Sequence, residues 1–392
     1  MRILRTAAAS VALATATLAT PSLADHHTVD HAAIAAQVDQ DYDSYLAPLF
    51  VHFHKNPELS YLENKTAARM AQELRDAGLE VTENVGGTGV VGMVKNGEGP
   101  LILLRADMDG LPVQEKSGLD YASVAKQVGQ DGKEYPVMHA CGHDVHITSM
   151  VGTARRLMAM KDQWSGTLMF IVQPAEERVG GAKAMLADGL YERFGKPDYA
   201  LAFHVASPLP TGFLSAAEGI QYSSSDSVDI TVPGIGAHGA SPHRGRDPVY
   251  IASQIVTALQ SIVSRNADPV QEIVVSVTSF ETESNAYNVI PQHVHLKGTI
   301  RTLSKEMRAL ARERLPLIAE NTAKAFGAVA KVELLDGYPV MVNSEEQTEF
   351  AKNVAKSVSG ECAEASLIMG GEDFAYMLEE RPGAYILMGV GD

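Results

Sequence analysis

Short apolar runs alternate with a longer amphipathic segment in the first half of the chain. The runs LILLR (101–105), TLMFIVQP (167–174) and DYALAFHV (198–205) are almost continuously apolar and lead into turn residues. Such runs are typical of strands that are buried on both faces of a parallel sheet. Between the first two runs, apolar residues from Ile147 to Met158 recur with the 3.6-residue period of a helix. This alternation predicts a doubly wound α/β layer.

Two other regions complete the predicted architecture. Residues 30–75 are predicted to be helical around HKNPELSYLENKT, with one helix that runs to Asp76 and stops before Gly78. From Ser227 to about Glu333 the pattern changes to strand, helix, strand, strand, helix, strand. That order is typical of a ferredoxin-like α+β module. Because the first type of pattern resumes after about residue 340, we expect this module to be an insertion.

Composition and charge restrict the partners. The chain has 392 residues, 45% hydrophobic and 20% charged, as expected of a soluble globular protein. The net charge of −16, without a basic stripe, argues against nucleic acid as a partner.

The first 24 residues have the character of an export signal. They contain two arginines, then an apolar run rich in Ala, Val and Leu, and finally Ser-Leu-Ala. This pattern predicts a secretory signal peptide that is cleaved after Ala24. A membrane anchor is the alternative, but the apolar run is short for one. We therefore expect a periplasmic or secreted protein that makes no membrane contact after signal removal.

Side chains that bind divalent metals follow the predicted strands. The stretch MHACGHDVHIT (138–148) contains a cysteine and three histidines, and acids follow the first two apolar runs. The candidates are Asp107, Asp109, Cys141, His143, Glu176, Glu177 and His204. Thiolate, imidazole and carboxylate groups bind divalent metals, and open sheets bind ligands beyond the carboxyl ends of their strands. Each residue alone could be a buried core residue, a helix cap or a solvated acid, and Cys141 could pair with Cys362. Together they predict a metal centre.

The adjacent pair Glu176 and Glu177 favours a particular chemistry. Neighbouring side chains point in different directions, so this pair is unsuited to face a sugar from two sides as in a glycosidase. One carboxylate as a metal ligand and the other as a general base is a better interpretation. A serine hydrolase is disfavoured because the sequence has no G-x-S-x-G motif.

A series of motifs in order across roughly residues 45–390 resembles a known family. The motifs are HKNPELSYLENKTA, LRADMDGLPVQE, HACGHDVH, QPAEERVGGA, AFHV, GAHGASPH, NVIPQ, GTIRT and GGEDF. They resemble the zinc-dependent amidohydrolases of the aminoacylase and hippurate hydrolase metallopeptidase family, in the branch of N-acyl-amino-acid and auxin-conjugate hydrolases. The resemblance implies hydrolysis of the amide bond of N-acyl or N-aroyl amino acids. A dipeptidase or carboxypeptidase on the same scaffold, and a non-catalytic periplasmic binding protein, are the alternatives.

The resemblance also implies roles for the candidate residues. It implies two divalent ions, Zn²⁺, Mn²⁺ or Co²⁺, with Glu176 as the general base that accepts a proton from metal-activated water. Asp109 would orient a ligand. The implied metal ligands are Cys141, His143, Glu177 and His204.

Three further residues belong to the predicted insertion. The resemblance implies that His238 reaches the site of a partner subunit and stabilises the oxyanion. It implies that Asn288 and Arg301 hold the substrate carboxylate. A homodimer formed through the inserted module follows from the same resemblance.

The predicted domain division follows from these expectations. A first catalytic part spans residues 25–220, a lid and dimerisation domain spans 221–334, and a second catalytic part spans 335–392. Members of the family normally continue with a histidine-containing segment that supplies the last metal ligand. This chain ends at Asp392. We therefore expect a second part that is truncated at its C-terminus and a second metal site that lacks one ligand.

Overall fold

The computed structural model describes residues 30–391, which form two main sheets and the helices that cover them. The predicted signal peptide lies outside the described residues. The helices are α1 (His31–Asp41), α2 (Ala47–Lys55), α3 (Asn64–Asp76), α4 (His143–Ala159), α5 (Gly181–Ala187), α6 (Leu190–Phe194), α7 (Pro248–Leu259), α8 (Lys305–Ala325), α9 (Glu345–Ser359) and α10 (Phe374–Glu380). No helix within 30–391 combines the length and the apolar character needed to cross a membrane.

The strands follow the predicted apolar runs closely. They are β1 (Glu80–Val85), β2 (Gly89–Asn96), β3 (Leu101–Asp107), β4 (Lys126–Val128), β5 (Glu134–Pro136), β6 (Gly166–Gln173), β7 (Tyr199–Pro210), β8 (Leu214–Ala216), β9 (Gly219–Tyr222), β10 (Ser224–Pro233), β11 (Ala237–His238), β12 (Ile273–Thr282), β13 (Val289–Ile290), β14 (His293–Thr302), β15 (Lys331–Leu335), β16 (Met341–Asn343), β17 (Ala363–Glu364) and β18 (Gly383–Gly391).

Among the described residues, the larger sheet has eight strands in the order β1-β2-β6-β3-β7-β18-β8-β17. The strand β3 is parallel to both β6 and β7, and β18 is parallel to β7, whereas β2 is antiparallel to β6. The three apolar runs therefore lie next to one another at the centre, as the sequence predicts. The prediction of a mixed α/β sheet is confirmed.

Both faces of this sheet are covered by helices. Successive side chains of a strand point to opposite faces; on β6, Phe170 packs in the core beneath α2, α3 and α4, and Ile171 packs in the core beneath α5, α6 and α10. Helix α4 contributes the predicted apolar stripe, including Ile147 and Val151, to the first core. The loops that carry the candidate metal ligands lie at the carboxyl ends of β3, β6 and β7.

The segment 56–63 differs from the prediction. The sequence predicts helix around HKNPELSYLENKT, but α2 ends at Lys55 and α3 begins only at Asn64. Pro57 has no N–H to donate, and Tyr61 has a positive φ of 63°, which a helix does not allow. The helix that runs to Asp76 is confirmed, and Gly78 follows it with a φ of 96°.

The insertion forms its own four-stranded sheet in the order β12-β14-β10-β15, with antiparallel pairing throughout. Helices α7 and α8 supply Ile255 and Leu315 to a separate core beneath it. The chain order β10-α7-β12-β14-α8-β15 is the order that the sequence predicts. Its use as a lid or a dimerisation surface stays a prediction.

Candidate metal centre

The candidate ligands come from four segments that meet at one edge of the large sheet. Strand β3 ends at Asp107, strand β6 ends three residues before Glu176, and β7 carries His204. Helix α4 begins at His143, after a left-handed Gly142 with a φ of 81°. Because these strands are parallel, their carboxyl ends bring residues from distant parts of the chain together.

The ligand atoms of the four predicted metal ligands lie close to one another. Cys141 Sγ lies 3.5 Å from His204 Nε2. Ligand atoms of Cys141, His143 and Glu177 lie within 4.8 Å of one another. Two ligands on one tetrahedral zinc, with bonds of about 2.3 Å to sulfur and 2.0 Å to nitrogen, would be about 3.5 Å apart.

Two buried atoms of the cluster have no partner inside the protein. Within residues 30–391, His143 Nε2 and Glu177 Oε1 make no hydrogen bond although both are buried. Buried polar atoms are nearly always satisfied, so these two atoms call for a ligand. Cys141 and Cys362 are free thiols, so they form no disulfide with each other. The donor set of this cluster therefore fits divalent metal ions.

Asp109 fixes the orientation of one imidazole and of the two glutamates. The main-chain oxygen of Asp109 lies 2.9 Å from His143 Nδ1, and its Oδ1 lies 3.3 Å from the same atom. Its carboxylate also accepts hydrogen bonds from Ser60 Oγ at 2.6 Å and from the backbone N–H groups of Glu176 and Glu177 at 3.1 Å each. With Nδ1 engaged, His143 presents Nε2 to the cluster.

His146 lies inside the same cluster but has no free nitrogen. Its Nδ1 donates to Asp107 Oδ1 at 2.6 Å, and its Nε2 accepts from the backbone N–H of Val205 at 3.0 Å. Burial lowers the pKa of His146 to about 3, in agreement with a neutral ring. His204 instead engages Val205 O through Nδ1 at 2.6 Å, and its Nε2 faces Cys141 Sγ at 3.5 Å. Both ring nitrogens of His146 are therefore engaged by other groups of the protein.

The cluster holds protons that a metal would displace. Burial opposes ionisation of Cys141, but the neighbouring imidazoles of His143 and His204 lower its pKa to about 6. Burial, with the charge of Cys141, raises the pKa of Glu177 to about 8. Because a ligand must be deprotonated to bind, metal affinity should rise with pH as the Glu177 carboxyl ionises.

Glu176 lies beside the cluster among other carboxyl groups. Ligand atoms of Glu176, Glu372 and Asp373 lie within 4.8 Å of one another, and all three side chains are buried. Burial, followed by the charges of Glu372 and Asp373, raises the pKa of Glu176. A carboxyl group in such surroundings is suited to accept a proton near neutral pH.

Sequence reasoning missed two buried supports of the site. Glu63 accepts a hydrogen bond of 2.9 Å from the backbone N–H of Ala175, the residue whose φ of 48° forms the turn before Glu176. Arg105, fully enclosed, binds Glu372 at 2.7 Å behind the cluster. The motifs contain both residues, but no rule of spacing relates either of them to Glu176.

Within residues 30–391, the predicted residues of the insertion make their hydrogen bonds with each other or with neighbouring residues of the insertion. His238 and Asn288 are both exposed, and the Nε2 and Nδ2 atoms of these residues are 3.4 Å apart. Arg301 is half-buried on β14, where its Nε donates to Thr299 Oγ1 at 3.1 Å. No hydrogen bond or ion pair found within residues 30–391 links any of the three to Cys141.

The chain is similar to known proteins over most of its length. The family model of peptidase family M20/M25/M40 matches residues 103–392. The hippurate hydrolase of Campylobacter jejuni is 41% identical over 342 residues, 86% of this chain and 85% of that protein. Thermostable carboxypeptidase 2 of Saccharolobus solfataricus is 36% identical over 356 residues, 90% of this chain and 87% of that protein. The YXEP protein of Bacillus subtilis, a dinuclear metal-binding peptidase, has a TM-score of 0.73 at 31% identity, covering 90% of this chain and 89% of that chain.

Proposed function

Because the chain belongs to peptidase family M20/M25/M40, we propose that it cleaves the amide bond of N-acyl or N-aroyl amino acids. The products are a carboxylic acid and an amino acid. The protein is a metal-dependent amidohydrolase or peptidase, and the proposal concerns its substrate. The observation that carries the proposal is the buried cluster in which His143 Nε2 and Glu177 Oε1 have no hydrogen-bond partner among residues 30–391, with Glu176 beside it.

In this proposal Cys141, His143, Glu177 and His204 hold two divalent ions, for which Zn²⁺, Mn²⁺ and Co²⁺ are the candidates. Such ions polarise a carbonyl group and acidify water. Glu176 accepts the proton of the attacking water and returns it to the leaving amine. Its raised pKa suits both steps, because a base that is too acidic would not take the proton.

The insertion supplies the remaining groups of the proposed site. Arg301 and Asn288 hold the free carboxylate of the substrate, for which a guanidinium offers two parallel hydrogen bonds. His238 stabilises the oxyanion of a second subunit, so the active form is a homodimer. The exposure of His238 and Asn288 on one chain leaves both available to a partner. The pattern of residues 1–24 supports a periplasmic or secreted location.

A carboxypeptidase is the second candidate function. The 36% identity to thermostable carboxypeptidase 2 favours it. A peptide and an N-acyl amino acid share the scissile amide and the adjacent carboxylate, so the same residues would serve both. The two functions differ in what the site accepts on the acyl side: a second amino acid with its amine, or an uncharged acyl or aryl group.

A substrate panel tests the proposal. Hippurate, N-acetyl amino acids and dipeptides would be incubated with the purified protein and Zn²⁺, Mn²⁺ or Co²⁺, and the released amine measured. We expect metal-dependent turnover of the acyl amino acids, reduced at least about 100-fold by Glu176→Gln, which removes the base and keeps the volume.

The exposed Glu192 offers a matched control, since Glu192→Gln makes the same chemical change away from the site. Preference for dipeptides would favour the carboxypeptidase. A folded protein that binds metal but shows no turnover with any substrate would contradict both enzymatic functions and favour a binding protein.

A further inference from the structure

Asp107 lies beside the candidate metal ligands, and one of its carboxylate oxygens makes no hydrogen bond within residues 30–391. The side chain is completely buried at the end of β3. Its Oδ1 accepts the hydrogen bond from His146 at 2.6 Å. Its Oδ2 lies 3.6 Å from His143 Nε2, and within residues 30–391 neither of these two atoms has a hydrogen-bond partner.

The separation of these two atoms suits a shared ion. Ligand atoms bound to one tetrahedral zinc at about 2.0–2.2 Å lie roughly 3.3–3.6 Å apart. The 3.6 Å between Asp107 Oδ2 and His143 Nε2 falls at the end of that range. A direct hydrogen bond would be shorter, at about 2.7–3.2 Å. The two atoms are therefore too far apart for a hydrogen bond and correctly spaced to bind the same cation.

Arg105 forms a buried ion pair with the Asp107 carboxylate. Arg105 Nη1 lies 2.6 Å from Asp107 Oδ2, although the two atoms do not meet hydrogen-bond geometry with each other. The other side of the same guanidinium is engaged by Glu372 at 2.7 Å and by Asp373 at 3.2 Å. One positive charge thus faces three carboxyl groups, and negative charge remains to face the cluster.

The other groups around His143 point to the same carboxylate. His146 cannot contribute, because both of its nitrogens are engaged. Among the side chains grouped with His143 and His204, Asp107 is the remaining carboxylate.

We propose that Asp107 is a fifth protein ligand of the metal centre and bonds through Oδ2 to the ion that His143 binds. The inference rests on the proposed metal-dependent function and adds to its ligand set. Arg105 and His146 are then positioning residues that hold the two oxygens of this carboxylate in place.

Metal binding measured apart from activity tests the inference. The full chain, stripped of metal with a chelator, would be titrated with Co²⁺ by calorimetry and by visible absorption. We expect two Co²⁺ per chain for the wild type. Asp107→Asn preserves the shape and removes the anionic oxygen, so it should lose one ion or bind it at least about tenfold more weakly, with a changed absorption band.

A matched variant controls for the change of a buried aspartate to asparagine. Asp144→Asn changes another buried aspartate, which binds His54 at 2.7 Å and lies outside the ligand groups. It should bind two ions as the wild type does. If Asp107→Asn binds Co²⁺ like the wild type, or if Asp144→Asn causes the same loss, the inference is wrong.

A measurement on the wild type avoids any folding defect of the variants. Crystals grown with Co²⁺ would locate the ions by anomalous scattering. An ion within about 2.3 Å of Asp107 Oδ2 supports the inference, and ions all beyond about 3 Å overturn it. Two bound ions without turnover would contradict the proposed function alone, whereas turnover with both ions away from Asp107 would contradict the inference alone. A wild type that binds no Co²⁺ overturns both.

Discussion

Replacing Asp109 by asparagine should destabilise the metal-free protein, because this carboxylate accepts three hydrogen bonds at once. It is 1% exposed. Its Oδ1 accepts from the N–H of Glu176, and its Oδ2 accepts from Ser60 Oγ and from the N–H of Glu177. Asparagine has the same shape but only one accepting oxygen. If that oxygen takes the place of Oδ2, two bonds survive, and the new NH₂ group faces the Glu176 N–H.

The cost follows from these contacts. A hydrogen bond to a charged group contributes about 1.5–3 kcal/mol, and a buried donor left without a partner costs about 1–3 kcal/mol. In the more favourable orientation of the asparagine, the hydrogen bond from the Glu176 N–H is lost and the new NH₂ group faces that N–H. The hydrogen bonds from Ser60 Oγ and from the Glu177 N–H remain but are weaker, because the acceptor is no longer charged. We therefore expect Asp109→Asn to lower the free energy of unfolding by about 2–4 kcal/mol. Metal affinity should fall as well, because the backbone N–H of Glu176, next to the proposed ligand Glu177, loses its fixed acceptor.

Urea unfolding followed by tryptophan fluorescence is the assay. Trp164 is the only tryptophan in the sequence, and it packs against the core beneath α4. Ser60→Ala is the matched control: it removes one donor to the same carboxylate and should cost about 1 kcal/mol. A free energy of unfolding for Asp109→Asn within about 0.5 kcal/mol of the wild type would refute the reasoning.

Three further predictions follow from the same geometry. Burial raises the pKa of Glu63 from 4.5 to about 7, so its contribution to stability is complete below pH 4.5 and lost as the pH rises through about 7. Glu63→Gln should remove on the order of 3 kcal/mol of this pH dependence in the metal-free protein, and parallel curves of melting temperature against pH would contradict it. An equal mixture of inactive His238→Ala and Glu176→Gln chains, unfolded and refolded together, should recover about a quarter of wild-type activity if His238 serves a partner's site, and none if it does not. Arg301→Lys should raise KM about tenfold with little change in kcat, because lysine cannot make two parallel hydrogen bonds to a carboxylate; an unchanged KM in steady-state assays would exclude this role.

Local patterns were sufficient to predict most of the elements. The run LILLR is apolar because β3 is enclosed by neighbours on both sides and helices on both faces. HVHLKGTIRT alternates because one face of β14 covers a core and the other does not, and the strand spans His293–Thr302 as predicted. In such segments the spacing of the apolar residues follows directly from which faces of the strand are buried. The sequence alone is therefore sufficient to predict these strands.

The candidate site could be predicted in its residue types and its place in the sheet. Parallel strands carry their following loops to one edge, so Cys141, His143, Glu177 and His204 could be expected to meet. The residue types alone do not distinguish His143 from His146, because both residues lie in the first turn of α4; the family resemblance selects His143. The hydrogen bonds of His146 to Asp107 and to the Val205 N–H engage both of its ring nitrogens.

The supports of the site depend on contacts between distant parts of the chain. Glu63 is 112 residues from Ala175, and Arg105 is 267 residues from Glu372. Neither pair has a sequence signature, since a hydrogen bond across the sheet forms only after the strands between its partners have assembled. The sequence by itself therefore determined the strands, the helices and the family of chemistry. Only the tertiary structure decided which buried groups have partners and which are left to bind a metal, because burial and hydrogen-bond geometry are properties of the assembled fold.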